Sequence, residues 1–441
     1  MSKALRIRLL RVLVALVLAM PAGAQVLPQV QAPGLPLPPV QVPQMQVPVG
    51  NVVAAVPEAA RSSLRIRARE LQRRYPGRVE NDPRGAPIVR AVILALSPAA
   101  DALQRALQAG FQIQSDRNLP ALDERVVLLL APRGTSTRQA LQRLRESDPA
   151  GSYDFDHLFV ESQAAAAVTA PASLPAPNAP VAIHVGLIDG GVDAAHEVFA
   201  HQRPQVSGCG GHPVVSPHGT AVASLFVGWS DRFTGAAPGA MLEAIDVYCD
   251  PAAPGGRVSD IAQAFAQLAA AHVRVINISV VGPDNAVLAA VVRKVLAGSI
   301  CIVAAVGNDG PNARPLYPAA YPGVIAVTAV DAHQRVLAEA GAGAHVRFAA
   351  PGADMLAAAP DGTYATVRGT SYAAPLVAGL LARQLAEPSA PEPAIALQRL
   401  TASAKDLGKA GQDTRYGAGV LGADLRLGTM DGYAPAGRRA Q

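Results

Sequence analysis

Three residues of the 441-residue chain could together carry out nucleophilic chemistry: Ser371, His218 and Asp189. Ser371 lies in Gly369-Thr370-Ser371-Tyr372-Ala373-Ala374-Pro375-Leu376-Val377-Ala378-Gly379, where small residues crowd one hydroxyl and an apolar helical pattern follows. At the mouth of such a helix, unpaired N–H groups and the positive end of the dipole favour an oxyanion. A serine hydroxyl is a poor nucleophile near neutral pH. It needs a base within hydrogen-bond reach, and that base needs a carboxylate to fix its tautomer. His218 opens the stretch His218-Gly219-Thr220-Ala221-Val222-Ala223, and Asp189 ends the apolar run Ile183-His184-Val185-Gly186-Leu187-Ile188. Each has an ordinary reading when taken singly: a Gly-Thr-Ser helix cap, a structural histidine, an Asp-Gly turn. Together they form one of the known triad orders, Asp, His, Ser.

The elements that must position them have the pattern of a parallel sheet covered by helices, because apolar strands and helical segments alternate from Val181 onward. Strands are expected at Ile183–Asp189, Met241–Tyr248, Val273–Ser279, Ile300–Val306 and Val324–Val330. Helices are expected at Thr220–Val227, Val258–Ala271, Ala286–Ala297, Ser371–Leu385 and Pro393–Ala404. Open α/β sheets build sites at the carboxyl ends of their strands, so Asp189, His218 and Ser371 can converge there. Ahead of this region, residues 58–162 read as β-α-β-β-α-β, the split βαβ order of ferredoxin-like domains. Its strands are expected at Ile88–Leu96, Phe111–Ile113, Arg125–Leu130 and Tyr153–Val160, and its helices at Pro98–Ala109 and Ser136–Ser147.

The chain begins with Lys3, Arg6, Arg8 and Arg11, then the apolar run Val12–Met20 and Ala22-Gly23-Ala24, the pattern of a secretory signal over residues 1–24. That run is too short to span a bilayer, and no later run is long enough. Residues 25–57, rich in Pro, Val and Gln, are a disordered spacer; 163–180, rich in Ala and Pro, are a linker and cleavage region; 429–441 are a disordered tail. The net charge is +5, but the arginines gather between Arg61 and Arg74 with no interleaved aromatic residues, which argues against nucleic acid as a partner. Three cysteines, Cys209, Cys249 and Cys301, allow at most one internal disulfide, and neither they nor the histidines have the spacing of a metal site.

At this point the chain resembles the subtilisin-like serine peptidases, the subtilases, over Val181 to Leu425. Ile188-Asp189-Gly190-Gly191, Pro217-His218-Gly219-Thr220-Ala221-Val222-Ala223 and Gly369-Thr370-Ser371-Tyr372-Ala373-Ala374-Pro375 resemble the family's three catalytic motifs. Ala305-Val306-Gly307-Asn308 is similar to its oxyanion segment, and Val275-Ile276-Asn277-Ile278-Ser279 to its substrate-pairing strand. Tyr317–Val327 and Ala349-Ala350-Pro351-Gly352 are similar to further family segments, the former implying a cis Tyr317–Pro318 bond. The resemblance implies that Ser371 is the nucleophile, His218 the base, Asp189 its orienting acid and Asn308 an oxyanion donor. It also implies that Ser279, Val280, Val281 and Gly307 bind substrate, that Cys209 and Cys249 form the disulfide, and that Cys301 is buried and free.

Two departures stand out. Gly190 lacks the hydroxyl that usually follows the aspartate, which would loosen that turn. Val281 stands where glycine is common, which would narrow the primary specificity pocket toward small or medium side chains. The expected molecule is thus a three-layer α/β/α subtilisin-like catalytic domain with a parallel sheet over residues 181–428. A small ferredoxin-like α+β prodomain over 58–162, acting as inhibitor and folding chaperone, is expected to precede it. It would be a secreted or periplasmic serine endopeptidase made as a self-processing precursor. Its partners would be a polypeptide substrate and its own prodomain, and it would act as a monomer. No cofactor is expected; the resemblance leaves calcium open, since the family often binds it, but no acidic loop identifies a site. A weak or inactive peptidase-fold module for binding or secretion is the second reading, opposed by the presence of all four catalytic positions. A sedolisin-type site would carry Glu in place of His218, and a lipase would need a G-x-S-x-G elbow around Ser371.

Overall fold

The computed structural model describes residues 63–161, 165–167, 180–230, 233–249, 255–386 and 392–425. The secretory leader, the Pro-rich spacer, most of the linker and the tail lie outside them. No helix among the described residues is long and apolar enough to cross a membrane.

The N-terminal part runs α1 (Ser63–Arg74), β1 (Val79–Asn81), β2 (Pro87–Leu96), α2 (Ala100–Gln108), β3 (Gln112–Leu119), β4 (Glu124–Leu130), α3 (Thr137–Ser147) and β5 (Ser152–Glu161). Its four long strands pair antiparallel in the order β5-β2-β4-β3, the arrangement expected of a split βαβ chain. Ser136 starts α3 through a reciprocal capping box with Gln139, so the helix begins where the sequence places it. One face of this sheet is covered by α2 and α3 through Ile93, Ala106, Leu141, Leu144 and Phe155.

Beyond β6 (Ala165–Ala167) comes β7 (His184–Asp189), then β8 (Gln205–Gly208), α4 (Pro217–Val227) and the short hairpin β9 (Trp229–Ser230) and β10 (Phe233–Thr234). Next are β11 (Met241–Asp246), β12 (Gly256–Arg257), α5 (Val258–Ala270), β13 (Val275–Ile278), β14 (Val280–Val281), α6 (Ala286–Ala297), β15 (Cys301–Ala305) and β16 (Ile325–Val330). The chain then forms β17 (Val346–Pro351), β18 (Met355–Ala359), β19 (Thr363–Val367), α7 (Thr370–Leu385) and α8 (Pro393–Ser403). Seven strands form the main sheet in the order β17-β16-β15-β13-β7-β11-β8, every pair of them parallel. Such strands are buried on both faces, which explains their continuous apolar runs. Helices α4 and α7 lie in the core on one face of the sheet, and α5 and α6 in the core on the other.

The sequence reading carries Val273–Ser279 through as one strand; the structure breaks it at Ser279. There β14 leaves the main sheet and pairs antiparallel with β5. On its other edge β5 pairs with β12, so the end of the N-terminal part lies as the middle strand between two strands of the C-terminal part. The same core that holds α5 and α6 includes Val92, Leu94, Val126, Leu128, Leu158 and Phe159, so the two parts share apolar packing. Strands β8, β17, β18 and β19 were not read from the sequence. Strand β17 lies at the sheet edge and ends in Pro351, which blurs its pattern.

Two carboxylates of β5 anchor it to helix starts. The N-cap of α5, Arg257, gives no side-chain cap, and Asp156 supplies one by accepting from the N–H of Ser259 at 3.1 Å and its hydroxyl at 3.2 Å. Asp154 accepts from the N–H of Ala286, the first residue of α6, at 2.7 Å. Burial pushes Asp156 up to about 6, against the pull of Arg257. Each contact satisfies an orphan helix N–H, and losing such a cap costs about 1 kcal/mol. The double change Asp154→Ala, Asp156→Ala should therefore destabilise docking by about 2 kcal/mol. Hydrogen exchange at Val280 and Val281 should speed up accordingly; unchanged protection there would refute the anchoring role.

Candidate active site

Asp189 is the last residue of β7 and His218 the second residue of α4, so both sit at the carboxyl edge of the main sheet. The carboxylate Oδ1 of Asp189 accepts from His218 Nδ1 at 2.7 Å, and the side chains are 0% and 1% exposed. The same oxygen accepts from the N–H of Gly190 at 2.7 Å, which fixes its direction. Strand and helix can meet this closely because of two glycines. A Cβ on Gly219 would lie 2.2 Å from the Gly190 carbonyl oxygen, and one on Gly190 would lie 2.5 Å from Ser216 Cβ.

The missing hydroxyl at Gly190 is therefore answered from elsewhere. Ser216 Oγ lies 2.7 Å from where a Gly190 Cβ would stand. It caps α4 by accepting from the N–H groups of His218 and Gly219 at 3.1 and 3.3 Å. The aspartate turn is held by the Gly190 N–H and abutted by Ser216. Ser216 was not singled out from sequence, although a serine before Pro-His-Gly is a readable helix cap.

Ser371 is the second residue of α7 and fully buried. Its neighbour Tyr372 places a ring 5.4 Å from the His218 imidazole, so the serine segment and the Asp–His pair share one region. A proline four residues after Ser371, Pro375, has no N–H to give the Ser371 carbonyl the bond a regular helix would make. Ser279 supplies it: its Oγ donates to the Ser371 carbonyl at 3.0 Å. In return Ser371 Oγ lies 3.4 Å from the Ser279 carbonyl. His218 Nε2 is buried and has no hydrogen-bond partner among the described residues, so the last link, from imidazole to serine hydroxyl, is not closed in this arrangement.

Asn308 and Gly307 follow β15. The N–H of Thr370 donates to Asn308 Oδ1 at 3.1 Å, which commits the amide oxygen to α7 and turns the NH2 end the other way. The Gly307 N–H donates to Thr370 Oγ1 at 3.2 Å, so Thr370 ties the Gly307-Asn308 segment to α7. Val280 and Val281 are buried in β14. A Cβ at Gly307 would meet Leu316 Cδ1 at 2.5 Å and Val281 Cγ1 at 3.7 Å, so Val281 and Leu316 crowd this wall. Tyr317–Pro318 is cis.

The electrostatics follow from burial. Desolvation pulls the His218 imidazolium down, but the Asp189 carboxylate, aided by Glu161, overrides it and raises His218 to about 9. Its Nδ1 faces a carboxylate, so it carries the proton and donates. Glu161, Asp189 and His218 bring ligand-type atoms within 4.8 Å of one another. Because Asp189 Oδ1 and His218 Nδ1 are already bonded to each other, this cluster holds a proton rather than offering open metal ligands.

Cys209 and Cys249 form a disulfide, while Cys301 is buried and free, its thiol pushed up to about 11 by burial. The sequon Asn277-Ile278-Ser279 is buried, with Asn277 Nδ2 donating to Ser279 Oγ at 3.0 Å. His157 lies between Asn285 Nδ2 and Asp82 Oδ2 at 2.9 and 3.3 Å, a structural role.

Residues 182–419 match the Subtilase family. Subtilisin E of Bacillus subtilis (strain 168) is 31% identical over 255 residues, covering 54% of this chain and 64% of its own length. Subtilisin DY of Bacillus licheniformis is 33% identical over 251 residues, 55% of this chain and 89% of its own. The match thus spans less than two thirds of subtilisin E. Among solved structures, fervidolysin from Fervidobacterium pennivorans, described as a keratinolytic enzyme related to subtilisin, superposes with a TM-score of 0.65 at 20% identity, covering 79% of this chain and 62% of its own. At that identity the likeness shows the fold.

Ser279→Ala would strip the buried Ser371 carbonyl and Asn277 amide of a partner at once. Each unsatisfied group costs about 1–3 kcal/mol. Urea denaturation should show a loss in that range or above it, and an unchanged midpoint would remove Ser279 from this supporting role.

Proposed function

The chain belongs to the subtilase family, and from that premise we propose that it is a serine endopeptidase made as a precursor, with Asp189, His218 and Ser371 as its triad. The observation that carries this reading is the buried 2.7 Å bond from His218 Nδ1 to Asp189 Oδ1, beside the helix that begins at Thr370-Ser371. A dry carboxylate–imidazole pair stabilises the imidazolium that forms when a serine is deprotonated.

In the proposed reaction the Ser371 hydroxyl rotates from the Ser279 carbonyl to His218 Nε2. It attacks the peptide carbonyl as Nε2 takes its proton, and Asp189 holds the resulting imidazolium. The oxyanion is met by the Asn308 side-chain NH2 and the Ser371 N–H at the start of α7. His218 then protonates the leaving amine, and water releases the acyl group by the same route in reverse. The substrate pairs with Ser279, Val280 and Val281. Val281 and Leu316 narrow the wall at Gly307, which supports a preference for small or medium residues before the cut.

Strand β5 supports the precursor reading. It occupies the gap between β12 and β14, where an extended peptide would pair on both edges. Phe159 fills space over Gly282, where any Cβ would fall 2.5 Å from the ring. The part 58–162 is accordingly a prodomain that blocks the cleft until the connection to 181–428 is cut. Residues 1–24 direct the chain out of the cytoplasm.

Ser371→Ala should abolish casein hydrolysis, self-cleavage and labelling by a serine-directed phosphonate. Full activity in that variant would end the triad assignment. Asn308→Ala should lower kcat by about 10²–10³, a magnitude known from subtilisin, with KM little changed. Peptides differing only in Ala or Phe before the cut test the pocket: equal kcat/KM values would refute the narrowing by Val281.

A further inference from the structure

Strand β5 ends at Glu161, which pairs with Val280 next to the site. Its carboxylate oxygen Oε1 accepts from Ser216 Oγ at 3.2 Å. Ser216 can stand there only because residue 190 has no side chain: a Gly190 Cβ would lie 2.5 Å from Ser216 Cβ and 2.7 Å from its Oγ, while Glu161 Oε1 is 3.6 Å from the same point, in van der Waals contact. Ser216 is well suited to a negative occupant. Its oxygen already accepts from the first N–H groups of α4, so its proton is left to donate outward, at the positive end of that helix. Close by are two buried atoms without a hydrogen-bond partner among the described residues, His218 Nε2 and Asp189 Oδ2.

We propose that the Gly190–Ser216 notch beside His218 is a carboxylate-accepting subsite, filled in the uncut chain by Glu161, where an acidic side chain holds a peptide in the cleft while slowing its cleavage. The inference rests on the peptidase reading above and extends it to regulation and substrate class. The chemistry has two parts. A carboxylate gains a hydrogen bond from Ser216 and the attraction of the helix start, so binding tightens. The reaction, however, needs His218 neutral at Nε2 to take the Ser371 proton. The charged groups facing the imidazole are Asp189 from β7 and Glu161 from β5; α7 contributes the Ser371 hydroxyl and the Tyr372 phenol, which burial and the same two carboxylates keep neutral. Two carboxylates around one imidazole favour the imidazolium, with burial unable to reverse them, and His218 is raised to about 9. Cleavage of a peptide with an acid in the notch should therefore climb as pH rises toward 9. The sign for stability is opposite: this pair supports the folded uncut chain fully below the ordinary histidine value of 6.5, and the support is lost as pH passes through about 9.

Glu161→Gln keeps the side chain's shape and an acceptor for Ser216 but removes the charge. In the full chain, self-cleavage at pH 7 should speed up about tenfold and its pH midpoint should fall by about one unit, with the two rates converging above pH 9. A merely structural role would instead lower the rate at every pH and leave the midpoint in place, which would overturn the proposal. With the mature enzyme, a peptide carrying Glu at this position should show lower KM and lower kcat at pH 7 than its Gln counterpart, the kcat gap closing at high pH. Equal constants would also overturn it. The NMR titration of His218 in the uncut Ser371→Ala chain needs no activity: adding Glu161→Gln should lower its midpoint by about one pH unit. An unmoved midpoint sinks the subsite, whereas a moved midpoint with no cleavage of any substrate by the unaltered serine sinks the peptidase reading alone.

Discussion

The bond between Asp189 and His218 is the constraint around which the site is built. Two ionisable groups are held 2.7 Å apart and out of water, an arrangement that is costly unless each is fixed by further contacts. The Gly190 N–H fixes the carboxylate, and the cap at Ser216 fixes the start of the helix that carries the imidazole. Neither would suffice if strand and helix could not touch. Gly190 and Gly219 allow that contact, because any side chain at either would drive α4 off the end of β7.

The serine helix is bound to the same site by a different device. Pro375 interrupts the helical ladder at the carbonyl of Ser371, and the vacant acceptor is met by Ser279, between β13 and β14. Thr370 joins the same helix to Gly307 and Asn308. The start of α7, Ser279 and the Gly307-Asn308 segment are thereby linked by backbone-directed bonds in a largely buried region, where each is harder to break than in water. Preorganisation of this kind is what electrostatic stabilisation of an oxyanion requires.

The N-terminal part is joined to the C-terminal part by apolar packing, helix caps and strand pairing. Its sheet shares apolar packing with α5 and α6, its acids cap their N-termini, and its last strand closes the gap between β12 and β14. An antiparallel strand in that gap pairs with main-chain groups on both neighbours. The same strand also brings the Glu161 carboxylate close to the His218 imidazole, where with Asp189 it favours the protonated ring.

The sequence by itself determined the cast and the scaffold. Buried parallel strands are continuous apolar runs, helices carry their own caps and periods, and the segments around Asp189, His218, Asn308 and Ser371 are short and local. Their types, order and placement at element ends could therefore be read directly, as could the split βαβ order of residues 58–162. The tertiary structure alone decided who stands in for whom. Ser216 fills beside Gly190, Ser279 serves the carbonyl freed by Pro375, and Glu161 reaches the imidazole. Ser216 and Glu161 are 55 residues apart, Ser279 and Ser371 92, and Asp156 and Ser259 103. Contacts at such separations leave no periodic trace in the chain, because they arise only when elements distant in sequence are packed against one another.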